Sequence, residues 1–262
     1  NPLDASMVTA IIREAEKEGY SVIVGDAQRE RAREANVISN FKRRKVDGII
    51  VRPIGVPNMK LYSSVKIPMV SLFKKVGKKN LMIRSEDGAL QVAHHFYDTG
   101  HIKIGYLGPS IAPDGNNKLA GFQKGLEEHN LSLHAVLECN QHETAENQKA
   151  YQIISKYFDE RDPTEVTAWF AHSDIAASDI IRALIQRGIR VPEDVSVCGY
   201  NDTLLSRKMI PSLTSVASPI DEIARNAIEL LIHEIRNDTE EETLQLSPHL
   251  YVRESTSCKI TK

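Results

Sequence analysis

The sequence has few of the residues that announce covalent or metal chemistry. Its 262 residues include only three cysteines, Cys139, Cys198 and Cys258. They are odd in number and far apart, so they encode no disulfide framework or zinc ribbon. They read as reduced thiols, which fits a cytoplasmic protein. Nine histidines are present, yet none stands in an HExxH or Cys/His spacing, so no metal site is expected. No apolar run reaches 18 residues, which argues against a membrane-spanning helix. The opening Asn1-Pro2-Leu3-Asp4 has no signal-peptide pattern, as would also hold for a processed chain. Net charge is only −2, so no global basic field points to nucleic acid. Gly105 and Gly108 with Pro109 do not form a GxGxxG fingerprint, and neither a Walker A loop nor a GxSxG elbow occurs. No cofactor is expected. Internal repeats and low-complexity stretches are also missing.

What is present is a core and a rhythm. Hydrophobic residues make up 41%, enough at this length for a substantial interior and more than one lobe. Short apolar runs predict strands at Ser21–Gly25, Gly48–Val51, Met69–Phe73, Ile102–Leu107, Ala135–Cys139, Ala168–Ala171 and Val195–Gly199. They show little alternation, as strands covered on both faces should. Between them lie helical stripes. Leu3, Met7, Val8, Ile11 and Ala15 form one, with Asn1 a possible cap and Pro2 in the first turn. Ala89, Leu90, Ala93, Phe96 and Tyr97 form another, stopped at Gly100. Ala177, Ile180, Ile181 and Leu184 form a third, capped by Ser173 and ended by Gly188. The last runs from Ile220 through Ile223, Ala227 and Leu231 to Ile235. Strand–helix alternation argues for α/β architecture with parallel sheets. There are too many strands for one compact sheet, so two lobes with a ligand cleft between them are expected. The acidic stretch Thr239–Thr243 reads as a solvated turn.

In open α/β sheets, ligands bind beyond the carboxyl ends of the strands. There the sequence places His172-Ser173-Asp174, Tyr200-Asn201-Asp202, Arg52-Pro53 and Phe73-Lys74. Such groups can converge on a polar, uncharged or weakly charged metabolite, because amides and carboxylates suit vicinal hydroxyls. Each also has a plainer reading. Ser173 and Asp174 can simply cap a helix. Asn201-Asp202 can be an Asx turn, and Phe73 can be core. Lys42-Arg43-Arg44-Lys45 reads as a helix C-terminus complementing its dipole. Lys74-Lys75 with Lys78-Lys79 reads as a solvent-facing basic loop. His94-His95 lies on an amphipathic helix without local ligand partners, and Trp169 reads as core.

Several segments, in order and spacing, resemble the LacI/GalR regulators. They are Val46-Asp47-Gly48-Ile49-Ile50, Glu86-Asp87-Gly88, Gly100-His101-Ile102-Lys103-Ile104-Gly105-Tyr106-Leu107 and Leu119-Ala120-Gly121-Phe122. Gly188 to Val197, Gly199-Tyr200-Asn201-Asp202, Pro211 to Val216 and Leu250 to Thr256 complete the series across nearly the whole chain. The resemblance implies two doubly wound parallel-sheet lobes joined by three crossovers, a type I periplasmic binding protein-like fold. One lobe would span 1–84 plus 218–247 and the other 85–217 plus 248–262. It also implies a homodimer formed largely through the first lobe, and a sugar-like effector in the cleft that biases closure. Operator DNA would be bound by a helix-turn-helix domain that is not in this sequence. The family's first strand would fall ahead of Asn1-Pro2, so upstream residues are expected in the parent protein, or else this lobe is compromised. By the same resemblance the family's cleft arginine corresponds to Lys118, which lacks the guanidinium fork. Ser173 (followed by Asp174) and Asn201 match its polar positions. Phe73 matches a charged position and Gln141 a stacking aromatic. Leu3, Ser6 and Ile220 fall beside the cleft.

The reading is therefore the effector-sensing and dimerisation region of a transcriptional regulator, not an enzyme. The first alternative is the solute-binding component of a sugar transporter, which shares the fold. The second is an enzyme on a doubly wound scaffold, for which no nucleophile–base set is visible.

Overall fold

A computed structural model describes residues 2–110, 117–139, 149–236 and 240–258. In chain order the first part comprises α1 (Pro2–Lys17), α2 (Arg31–Arg44), β1 (Ile49–Val51), α3 (Met59–Ser63), β2 (Met69–Leu72) and β3 (Lys79–Ile83). There follow α4 (Ser85–Asp98), β4 (Ile104–Gly108), α5 (Lys118–Glu127), β5 (Leu133–Glu138), α6 (Lys149–Glu160), β6 (Ala168–Ala171) and α7 (Asp174–Ile185). The chain closes with β7 (Ser196–Asn201), α8 (Leu204–Lys208), β8 (Thr214–Ala217), α9 (Ile220–Ile235), β9 (Glu242–Leu246) and β10 (His249–Tyr251).

Two sheets result. The first has the order β1-β2-β3-β9, all parallel. The second has the order β10-β8-β7-β6-β4-β5, parallel except for β10 on its edge. The chain passes between the sheets three times, after β3, after β8 and after β9. The expected two-lobed α/β architecture is the one found.

The second lobe is closed on both faces. Every residue of β4 and β6 is buried. Trp169 packs edge-on against Tyr157 and Phe158 on one side of the sheet. Phe96, Phe122, Phe170 and Tyr200 fill the other. Trp169 is therefore core, as its strand pattern suggests. α4 and α5 cross so closely that a Cβ on Gly121 would lie 2.3 Å from the Glu86 carbonyl oxygen. Only glycine fits that contact. Ser173 caps α7, its Oγ accepting the Ala176 N–H at 3.2 Å.

The first lobe differs from expectation in three places. Ser21–Gly25 lies in no ladder, and Val22, Ile23 and Val24 are 38%, 46% and 57% exposed. A strand needs a neighbour for its N–H and C=O groups. β1 pairs with β2 on one side only among the described residues, and a gap separates its other edge from this segment. The acidic stretch is also not simply a turn. Glu242 and Thr243 open β9, and the Glu242 carboxylate meets the buried Lys79 amine at 3.3 Å. The basic loop is half interior, because Lys74 and Lys79 are buried while Lys75 and Lys78 are exposed. The basic run does close α2, with Lys45 in the left-handed region as its C-cap. Asn1 and Gln141 lie outside the described residues.

Candidate functional site

The carboxyl ends of β2, β6 and β7 open onto one cavity between the lobes. It is about 1520 Å³ in volume. That exceeds what one small metabolite fills, because the space continues into the gap beside β1. Leu3, Phe73, Lys118, Ser173, Asp174 and Asn201 all line it. Six expected site residues from separate segments thus meet at one opening.

Ser6 and Ile220 sit elsewhere. They line a second groove of about 1110 Å³, which Leu3 and Asn201 also border. The phase of α1 explains the separation. Asp4, Met7, Val8 and Ile11 turn towards the cavity, whereas Ser6, Thr9, Ala10 and Arg13 turn towards the groove. Ile220 packs at the start of α9 against the first lobe's core.

On the second lobe the wall is built around Lys118. Its Nζ donates to the His172 carbonyl at 2.8 Å and lies 3.7 Å from the centre of the Tyr200 ring. A cation over an aromatic face is favourable, more so when desolvated. Burial, then the Lys118 charge, push the His172 imidazole down to about 3. It is therefore neutral at physiological pH, and its Nδ1 lies 3.7 Å from the Cys139 thiol.

Asp174 opens α7 and turns inwards. One oxygen accepts the Ser215 hydroxyl at 2.5 Å; the other accepts the Thr203 N–H at 2.6 Å and its hydroxyl at 2.8 Å. Burial nevertheless raises its carboxyl to about 6. Desolvation of the charged form outweighs the donors.

Beneath Asn201 lies a second carboxylate. Asp202 receives Arg253 at 2.6 Å, Arg207 at 2.7 Å and the Ser206 hydroxyl at 2.8 Å. Burial works against its charge, but these donors outweigh burial and hold the carboxyl below the usual range. Asn201 and Asp202 both have positive φ, at 104° and 48°. That conformation is costly for residues other than glycine and persists where surroundings over-determine it. Here the Asp202 network does so, in place of the expected Asx turn.

On the first lobe Phe73 also has positive φ, at 65°. The Arg52 guanidinium lies 5.0 Å from its ring centre and pairs with Asp4. Lys74 donates to the Gly55 carbonyl. Asp4, Lys74 and His172 line the cavity without having been singled out from sequence. Lys74 was legible only as the residue after Phe73, and Asp4 only as the neighbour of Leu3. Elsewhere, His94 meets Glu128 at 2.9 Å and His95 meets Thr256 at 2.9 Å.

The profile of the periplasmic binding protein-like domain matches residues 93–256. The chain belongs to that family. Within the fold it is similar to bacterial repressors. The HTH-type transcriptional repressor PurR of Mannheimia succiniciproducens is 27% identical over 262 residues, which is 97% of this chain and 77% of the repressor. A periplasmic binding protein/LacI transcriptional regulator from Alkaliphilus metalliredigens, solved with D-xylulofuranose, gives a TM-score of 0.84 at 24% identity. The match covers 98% of this chain and 95% of that one. A dimeric Lac repressor with an 11-residue C-terminal deletion gives 0.85 at 22% identity, over 98% and 94% of the two chains. The two structural likenesses are likenesses of fold. Among the described residues no helix is long and apolar enough to cross a membrane.

Proposed function

We propose that this chain is the effector-binding and dimerisation region of a LacI-type transcriptional regulator. A sugar-like small molecule binds in the interlobe cavity and shifts the lobes towards closure. The observation that carries this reading is the meeting of Ser173 and Asn201 from one lobe with Leu3 and Phe73 from the other at one opening. A ligand that bridges the walls favours the closed state by its differential affinity for it. The lobes are taken as 1–84 plus 218–247 and 85–217 plus 248–262. The protein acts in the cytoplasm as a homodimer and reaches operator DNA through a helix-turn-helix domain outside this sequence. It is not an enzyme, for the cavity pairs no nucleophile with a base. The similarity to PurR repressors favours a regulator over a transporter's solute-binding component.

The test is calorimetry after a thermal-shift screen of sugars, sugar acids, sugar phosphates, polyols and nucleobases. Asn201→Ala should weaken binding of the hit by about 1–3 kcal/mol through lost hydrogen bonds. An unchanged affinity removes Asn201 from the site.

A further inference from the structure

The two walls of the cavity carry charge of the same sign. Lys118 stands on the second lobe; Arg52 and Lys74 stand on the first. Lys118 and Lys74 are each 8% exposed, and each ammonium donates to a backbone carbonyl, of His172 and Gly55 respectively. The His172 imidazole, pushed down by burial and by Lys118, marks the positive potential on the second wall. The 26–31 segment adds Arg29 and Arg31 to the lining.

Four acidic groups around this part of the cavity engage protein donors. Both oxygens of Asp174 are taken by Ser215 and Thr203 within its own lobe. Glu34 accepts the Tyr62 hydroxyl at 2.5 Å and the Ile54 N–H at 3.0 Å. Asp26 accepts the Gln28 N–H at 2.7 Å. Asp4 pairs with Arg52. The carboxylates are thus turned towards the protein, while cations stand on both walls of the opening.

This arrangement bears on ligand class and on motion together. Cations on opposite walls repel as the lobes approach, and the repulsion grows as water leaves. A neutral polyol does not relieve it. An anion between the walls attracts both, so it is held most tightly in the closed state. On the reading of the cavity given above, we propose that the effector is a polyhydroxylated anion. Its charged group lies between Lys118 and the Arg52–Lys74 wall, and its hydroxyls lie against Ser173 and Asn201. Sugar acids and sugar phosphates share this chemistry.

The experiment is isothermal titration of the chain with matched sets: glucose, gluconate and glucose 6-phosphate, then ribose, ribonate and ribose 5-phosphate. An anion should bind at least about tenfold more tightly than its neutral counterpart and weaken with added salt. The carboxylate and phosphate arms identify which source the site accepts. Lys118→Met should abolish that preference, Lys118→Arg should keep it, and the exposed Arg52→Gln should reduce it. Asn201→Ala should weaken every member of a set equally. If neutral sugars bind as tightly as the anions and Asn201→Ala weakens them, the charge assignment is overturned and the cavity reading stands. If no member of either set binds, both are overturned.

Discussion

Asp174→Asn should stabilise the second lobe at neutral pH and flatten its pH dependence. In the wild type the carboxyl is raised from 3.8 to about 6. Burial is the main cause, the Ser215 and Thr203 donors oppose it, and the Asp202 charge adds to it. The folded form therefore holds this proton more tightly than the unfolded chain does. Below about pH 4 both forms are protonated and the group costs nothing. Between about pH 4 and 6 the unfolded chain ionises first, so stability falls as pH rises. Above about pH 6 the penalty is complete. Two units at about 1.4 kcal/mol each make it about 3 kcal/mol. Asparagine keeps an acceptor for Thr203 and offers its NH2 to the Ser215 oxygen, as the protonated acid would. Its fit to three donors is poorer, so the expected gain is about 2 kcal/mol at pH 7.5 and close to zero near pH 4. The assay is urea unfolding at about pH 4.5, 5.5, 6.5 and 7.5. Fluorescence of Trp169 is the right signal, because it is the only tryptophan and lies in the same lobe, against Tyr157 and Phe158. Parallel pH profiles for the two proteins, or a less stable variant at pH 7.5, would refute the reasoning.

Gly121→Ala should lower second-lobe stability by about 2–3 kcal/mol in the same unfolding assay, because the new methyl meets backbone rather than a movable side chain. Arg253→Met should cost about 2 kcal/mol by removing a donor from the buried Asp202 carboxylate. Arg207→Met, at a side chain 60% exposed, should cost under about 1 kcal/mol, and the order of the two is the check. Joining an apolar strand-forming segment ahead of Asn1 should raise the first lobe's urea midpoint by filling the gap beside β1. It should also slow amide exchange at Ile49–Val51, and unchanged exchange there would count against the gap's accepting a strand.

Much of the fold was legible because its signals are local. The stripe of α7, the Ser173 cap and the stop at Gly188 all lie within one segment. β6 was legible because all four residues are buried and apolar. β3 and β9 were not, since Lys79-Asn80 and Glu242-Thr243 look polar until a partner 163 residues away in sequence pairs them. Ser21–Gly25 carried a strand's composition without a ladder, because pairing is a property of the neighbour. The site followed the same division. Ser173, Asn201 and Phe73 could be placed because strand ends gather at one edge of a sheet. Lys74 could not, since its burial depends on the Gly55 carbonyl 19 residues earlier. Ser6 was assigned by resemblance, where the phase of α1 turns it to the other groove.

The two walls of the cavity are held with different firmness, and that difference bears on how a ligand can be sensed. Asn201 keeps a costly backbone conformation because Asp202 beneath it is tied to Arg207, Ser206 and Arg253. Asp174 ties the start of α7 to Ser215 and to the residue after Asp202. The second wall thus comes preorganised, and little ordering cost falls on binding there. The first wall belongs to a sheet with an open edge, beside a segment whose valines and isoleucine face outwards. Fewer contacts hold it, so its opening free energy is the lower of the two. A ligand that spans both walls binds the assembled first lobe and not its loosened forms. At a hundredfold excess over its dissociation constant it would add about 2.7 kcal/mol to that lobe. Closure and consolidation of the first lobe are then one event, driven by contacts that the rigid second wall presents in advance.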